Sequence, residues 1–173
     1  KEKFFNLLSN PNNCSKEPIF IHFDKSVIGN TILEPGQADA AVIAPLQDEN
    51  DWTGVALGCA GPLDQHPYQQ GYQAAADAIQ KVIAVGAIPR ALTDCLNAGN
   101  PEISDQLWAL AENVRGLKEC AEAFGVPFIS GNVSLYNCSD SEAAIPSTAT
   151  VCCVGVLPDA RMAFPMHFKK NDS

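Results

Sequence analysis

Val126-Pro127-Phe128-Ile129-Ser130-Gly131-Asn132-Val133-Ser134-Leu135-Tyr136-Asn137 is an apolar run that breaks into small polar residues. Val126 to Ile129 reads as a buried strand, and the break comes at Ser130. Gly131, having no Cβ, lets a backbone approach a ligand closely. Asn132 brings a carbonyl oxygen and two N–H donors, and Ser134 a hydroxyl. Small polar groups at the C-terminal end of a strand are common in phosphate and nucleotide sites. The same residues also suit an ordinary Ser/Asn turn, and the stretch alone leaves both readings open.

Working outward, an amphipathic helix is expected over 104–124, with Ser104 as N-cap and Asp105 at its positive end. Leu107, Ala111, Val114, Leu117, Ala121 and Phe124 form its buried stripe, with Trp108 beside it. Gly125 suits a left-handed C-cap, and Pro127 follows. Before this helix, residues 90–96 read as a strand ending in Thr93-Asp94-Cys95-Leu96-Asn97, and Asn97 and Asn100 suit a capped turn. An earlier helix spans 68–85 on the stripe Tyr72, Ala75, Ala76, Ile79, Val82 and Ile83, stopped by Gly86 and Pro89. Residues 40–44 and 53–59 read as a hairpin, and 148–157 as a β-branched strand. Asp64 and His66 sit in the loop before the first long helix. Ile19 to Phe23 is a short strand candidate, and 24–36 reads as loop.

The order β-β-α-β-α-β-β gives two helices for about five strands. That predicts a two-layer α+β sandwich with a mixed or antiparallel sheet and both helices on one face. The second sheet face then needs cover. The expected divisions are a lead-in over 1–26, one domain over 27–158 and a tail over 159–173.

Composition narrows the function. With 46% apolar and 18% charged residues among 173, the chain is globular rather than disordered. A net charge of −9 argues against nucleic acid or an acidic membrane as partner. An anionic ligand would need local donors, a helix N-terminus or a metal ion. The seven cysteines show neither disulfide pattern nor zinc spacing, which fits reduced thiols of a cytoplasmic protein. No apolar run approaches the ~20 residues of a membrane span. A start at Lys1 rather than Met points to a piece of a longer protein.

A set of short motifs occurs together. In order they are Gly29-Asn30-Thr31, Pro35-Gly36-Gln37-Ala38-Asp39-Ala40-Ala41-Val42, Ala84-Val85-Gly86-Ala87-Ile88-Pro89, Thr93-Asp94-Cys95-Leu96-Asn97, Gly99-Asn100-Pro101-Glu102 and Ser130 to Asn137. In this order and spacing they resemble the phosphoribosylformylglycinamidine synthase family, in the N-terminal-type domain of its second synthetase half, over residues 27 to 158. The resemblance implies the aminoimidazole-ribonucleotide-synthase type of fold, whose sheets pair into a shared barrel. It implies an ATP-dependent ligase of purine biosynthesis. The reaction so implied has ATP phosphorylate the amide oxygen of formylglycinamide ribonucleotide, after which ammonia from a glutaminase domain or subunit displaces the phosphate.

Carried over by motif, the resemblance implies ATP contacts at Asp94 and Gly131, a Mg²⁺ ligand at Asn132 and a substrate contact at Ser134. A carboxylate and an amide oxygen are hard ligands suited to Mg²⁺. No catalytic residue is expected here, because the family's catalytic histidine belongs to the first synthetase half. His66-Pro67-Tyr68 stands where relatives usually have Asp-Pro-Tyr, an incomplete match that leaves His66 outside the expected site. Residues 58–65 match the family poorly, and Lys1 to Asp24 has no clear counterpart.

Expected partners are a sister synthetase domain, the glutaminase and formylglycinamide ribonucleotide. As an isolated domain the chain is expected to be an inactive homodimer held through its sheet. Competing readings are a structural or nucleotide-binding module that only completes a barrel, and a related synthetase such as aminoimidazole ribonucleotide synthase.

Overall fold

Strand alternation sets the two faces of the sheet. In Thr148–Leu157, every second residue from Ala149 to Leu157 is buried, and those between are partly or fully exposed. Gly54–Ala60 alternates in the same way, with Val55, Leu57 and Cys59 on the open side. Such a period of two marks strands with one face against helices and the other free.

The computed structural model describes the chain except residues 24–27, 35, 49, 62–65, 140–142 and 168–173. The sequence-predicted Asp64 lies outside the described residues. The elements are α1 (Glu2–Leu8), α2 (Glu17–Phe20), β1 (Thr31–Leu33), β2 (Ala41–Ile43), β3 (Gly54–Ala60), α3 (Pro67–Ala84), β4 (Ile88–Asn97), α4 (Ser104–Phe124), β5 (Phe128–Ser134) and β6 (Thr148–Leu157). They build one mixed six-stranded sheet in the order β1-β2-β3-β6-β4-β5. The β2–β3 pair is antiparallel, as a hairpin requires. The β4–β5 pair is parallel, joined through α4, the usual way to return a parallel strand to the sheet.

Both long helices lie on one side, as expected for the two-layer sandwich. α3 seats directly on the sheet through Ala74, Ala75, Ala78, Ile79 and Val82. It comes close because Gly58 and Gly155 present no Cβ to it; one at Gly155 would lie 2.3 Å from Val82 Cγ1. The core runs between these residues and Val42, Leu92, Val151, Cys153 and Leu157.

Several expectations need correction. Residues 19–23 do not form a strand: Ile19 and Phe20 end α2, and Ile21 to Phe23 form a turn. Neither α1 nor α2 buries any residue. The loop expected over 24–36 contains β1, which pairs with β2 and raises the strand count to six. Ser104 is the first helical residue rather than the N-cap; that position is Ile103, with no side-chain cap bond. The tail is anchored as far as Met166: Ala160 and Ala163 are buried, Phe164 lies against Gly86, and the Met166 N–H donates to the Gln37 carbonyl.

The largest departure is the rotation of α4. Its buried face is Asn113, Gly116, Leu117 and Cys120. Leu107, Val114 and Phe124, expected inside, are 49%, 43% and 45% exposed. The cause is the crossing with α3. A Cβ on Gly116 would lie 2.1 Å from the Tyr68 carbonyl oxygen, and one on Gly71 would lie 2.1 Å from that of Asn113. Two glycines let the helices touch backbone to backbone, and that contact overrides the larger apolar stripe.

Candidate functional site

β4 and β5 run parallel, so their polar C-terminal ends lie side by side. Thr93 pairs with Ser130, Asp94 with Gly131, Cys95 with Asn132 and Asn97 with Ser134. In a parallel pair, partners share a face and successive residues alternate. Ser130 Oγ donates to Thr93 Oγ1 at 2.7 Å on the helix-free face. On the helix face the Asp94 carboxylate lies directly over Gly131, and a Cβ there would approach Asp94 Oδ1 to 2.4 Å.

The requirement for glycine at 131 is therefore steric. The Asn132 backbone N–H donates to the Asp94 carboxylate, which favours the ionised form. Burial acts more strongly in the opposite sense and holds this carboxyl above its ordinary range. By the pleat, the Asn132 side chain turns to the other face with Cys95. Asp94 and Asn132 thus line one hollow of about 410 Å³ at the β5 edge, while their side chains leave the strands in opposite directions. A hollow of about 350 Å³ opens between α4 and the sheet. It is walled by Asp94, Leu96, Val114, Leu117 and Phe128, with Lys118 and Glu122 of α4 also on its lining. Asp94 belongs to both hollows.

β5 itself was expected to be buried and to stop at Ser130. It instead continues through the motif to Ser134, with Ile129 and Val133 exposed at 69% and 54%. It is the last strand of the sheet, so among the described residues its outer edge has no neighbouring strand.

Beyond the strands, Asn137 ties the two ends together. Its Nδ2 donates to the Ala98 carbonyl at 3.0 Å and to the Ser134 carbonyl at 2.9 Å. Its side-chain amide also lies 3.3 Å from Ser134 Oγ. The preceding Tyr136 has φ 60°, a left-handed conformation uncommon outside glycine, and its N–H donates to the Gly99 carbonyl at 2.9 Å. Backbone held in this way is common beside ligand sites. Ser134, named from the motif, is therefore part of a rigid corner. Asn137 and Thr93 were not singled out as site residues, although both lie in the quoted motifs; their roles depend on which strand end meets which.

His66 lines neither hollow. It precedes α3 and packs edge-to-face on Trp108, with ring centroids 5.4 Å apart. Beside it Arg115 bonds Glu112 and Glu119, and Arg115 holds the Glu112 carboxyl below its ordinary range.

Among the described residues, no three His, Cys, Asp or Glu side chains are grouped to hold a metal ion. All seven cysteines are free. Among the described residues no helix is long and apolar enough to cross a membrane.

The same fold occurs in known proteins. Residues 37–157 match the family model described as AIR synthase related protein, N-terminal domain. The chain is 40% identical over 175 residues to phosphoribosylformylglycinamidine synthase subunit PurL of Methanothrix thermoacetophila, covering 95% of this chain and 22% of that protein. It is 45% identical over 159 residues to the same subunit of Thermus thermophilus, covering 87% and 21%. Among solved structures it resembles PurLQS from Thermotoga maritima with a TM-score of 0.74 and 31% identity, covering 84% of this chain and 24% of that one. T. maritima PurL complexed with ATP superposes with a TM-score of 0.63 and 32% identity, covering 74% and 21%. The chain spans about a fifth of the length of the curated relatives it matches.

Proposed function

The chain belongs to the AIR synthase related family, in its N-terminal domain, and from that premise we propose that it is the nucleotide-binding part of a phosphoribosylformylglycinamidine synthase. The observation that carries this reading is the β4–β5 register, which sets Asp94 over Gly131 at the free edge of a parallel pair. Asp94 and the backbone around Gly131 contact ATP, and Ser134 contacts formylglycinamide ribonucleotide. The reaction is the ATP-dependent conversion of that ribonucleotide to its amidine with glutamine-derived ammonia, in the cytoplasm.

Mg²⁺ fits this chain as a partial ligand set. It commonly binds through one or two protein oxygens plus phosphates and waters. Asn132, exposed on the helix-free side of β5 and so not beside the Asp94 carboxylate, is the residue that would hold it. When bound, the ion offsets phosphate charge against an acidic protein. The chain's own residues orient the nucleotide: Gly131 by leaving room, Asp94 by its placement and Asn137 by fixing the corner at Ser134.

Catalysis needs groups held together in one geometry. Alone, this chain is expected to turn over no formylglycinamide ribonucleotide with ATP and ammonia, and measurable turnover would revive His66. The synthetase partners are a sister domain and a glutaminase. The helix-free face carries Val55, Leu57, Cys59, Val154 and Val156, which no helix covers among the described residues. A sister domain covers it in the assembled enzyme, and a second copy does so in isolation, giving a homodimer. Sedimentation equilibrium at micromolar concentration tests that; a clean monomer mass sinks the dimer.

The nucleotide site is tested by calorimetric titration of the chain with ATP and Mg²⁺. Binding is expected to be saturable and lost in Gly131→Ala, whose Cβ displaces the Asp94 carboxylate. Equal binding by this variant, or none by the parent chain, would overturn the assignment.

A further inference from the structure

Beneath α4 lies the apolar hollow of about 350 Å³, toward the lower end of the ~300–1,000 Å³ range of small-molecule sites. It opens on the helix side of the sheet, away from the face assigned to the sister domain. Both of its broad walls are apolar: Val114, Leu117 and Ala121 from α4, Leu96 and Phe128 from the sheet. At its rim Lys118 and Glu122 pair with each other at 3.7 Å, both exposed.

Asp94 is the remaining polar group on the wall. Among the described residues no cation pairs with it. Its carboxylate lies over Gly131 and takes one N–H, from the Asn132 backbone. An ionised carboxylate accepts at about four lone-pair positions, so acceptor capacity is left for a ligand. Burial already penalises its charge, and a donor arriving there offsets that penalty. A ligand matched to this hollow is flat, apolar on both faces, and carries an N–H donor on its edge.

We propose, resting on the nucleotide-binding reading, that the hollow is the slot for the purine base, with the exocyclic amine of adenine donating to the Asp94 carboxylate.

The slot also accounts for how one nucleotide reaches both faces of the sheet. It adjoins the hollow of about 410 Å³ at the β5 edge, since Asp94, Leu96 and Phe128 wall both. From the slot the ribose passes over the edge at Gly131, where no side chain stands in the way. The phosphates then come to the side of Asn132. The opposite directions of Asp94 and Asn132 mark the two ends of one ligand. Discrimination follows from the acceptor. A purine without the amine leaves the carboxylate unpaired and loses a charge-assisted hydrogen bond, a difference of about 10- to 100-fold in affinity.

The test titrates the full chain with adenosine and with purine riboside, which lacks the exocyclic amine. The methyl signals of Leu96, Val114 and Leu117 are followed by NMR. Adenosine is expected to shift these signals and to bind about 10- to 100-fold more tightly than purine riboside. Asp94→Asn should narrow that ratio to a few fold, because its amide can donate to a ring nitrogen of purine riboside; a merely structural Asp94 would leave the ratio unchanged. Val114→Phe, at an exposed position, fills the slot and should abolish the shifts. The two titrations of the parent chain decide by themselves if a variant folds poorly. Equal binding of the two nucleosides, or shifts confined to residues outside the hollow, would overturn the slot, while saturable binding of ATP with Mg²⁺ alongside would leave the nucleotide reading standing. Adenosine binding with this discrimination but no ATP binding would support the slot and overturn that reading instead.

Discussion

Replacing Gly116 by Ala tests the contact that orients α4. On an exposed helix interior this change would stabilise by up to ~1 kcal/mol, because glycine is the poorer helix former. Here the new methyl would lie 2.1 Å from the Tyr68 carbonyl oxygen and 2.7 Å from the Tyr72 nitrogen, against the 3.4 Å of ordinary contact. Both atoms are backbone within α3, so no side chain can rotate away. The helices must separate by about 1 Å, which loosens Leu117 and Cys120 on the buried face. Overpacking costs about 1–3 kcal/mol, and a methyl driven against fixed backbone belongs at the upper end of that range. Subtracting the propensity gain leaves a net loss of about 2 kcal/mol. For a chain of this size that lowers Tm by about 4–8 °C. The same displacement moves Val114, Leu117 and Lys118, which wall the hollow beside Asp94. Thermal unfolding followed by circular dichroism measures the shift, with urea titration as a second readout. A Tm equal to or above the parent's would refute the close crossing and the account of why α4 is rotated.

Two further substitutions have signs that depend on pH. Burial raises the Asp94 carboxyl above its ordinary range. Its contribution is therefore fully present below the ordinary carboxyl pKa and is lost as pH rises through the raised value. Asp94→Asn should gain stability relative to the parent at about pH 7 compared with about pH 3, and urea midpoints at both values check it; a difference independent of pH would contradict the burial argument. Asn113 is fully buried, with Nδ2 donating to Gln70 Oε1 at 2.7 Å and to the Ser147 carbonyl at 3.3 Å. Asn113→Asp would face those two acceptors with a charge and should cost about 3–5 kcal/mol at neutral pH. The introduced carboxyl would take a raised pKa, so the loss should shrink as pH falls toward ~5; melting curves at the two pH values with equal losses would count against it.

The sequence alone determined the long elements, because their signals are local. The helix over 104–124 and the strand over 148–157 have the predicted bounds. Gly125 has the left-handed φ of 65° that its place after an apolar run demanded. The ordered motifs also identified the family, since six short stretches at fixed spacing constrain far more than any one of them. Tertiary structure decided what depends on partners distant in the chain. β1 is three residues long and exists because β2 offers it a ladder. β5 is an edge strand rather than a buried one because the sheet ends there. α4 turns its larger apolar stripe outward because Gly71 and Gly116 permit a backbone contact that hydrophobic periodicity cannot register. The site follows the same division. The motifs named Asp94, Gly131, Asn132 and Ser134, but the parallel register decided that Asp94 stands over Gly131 while Asn132 turns to the opposite face. A pleat has a period of two, so one residue of register settles which side chains can share a ligand.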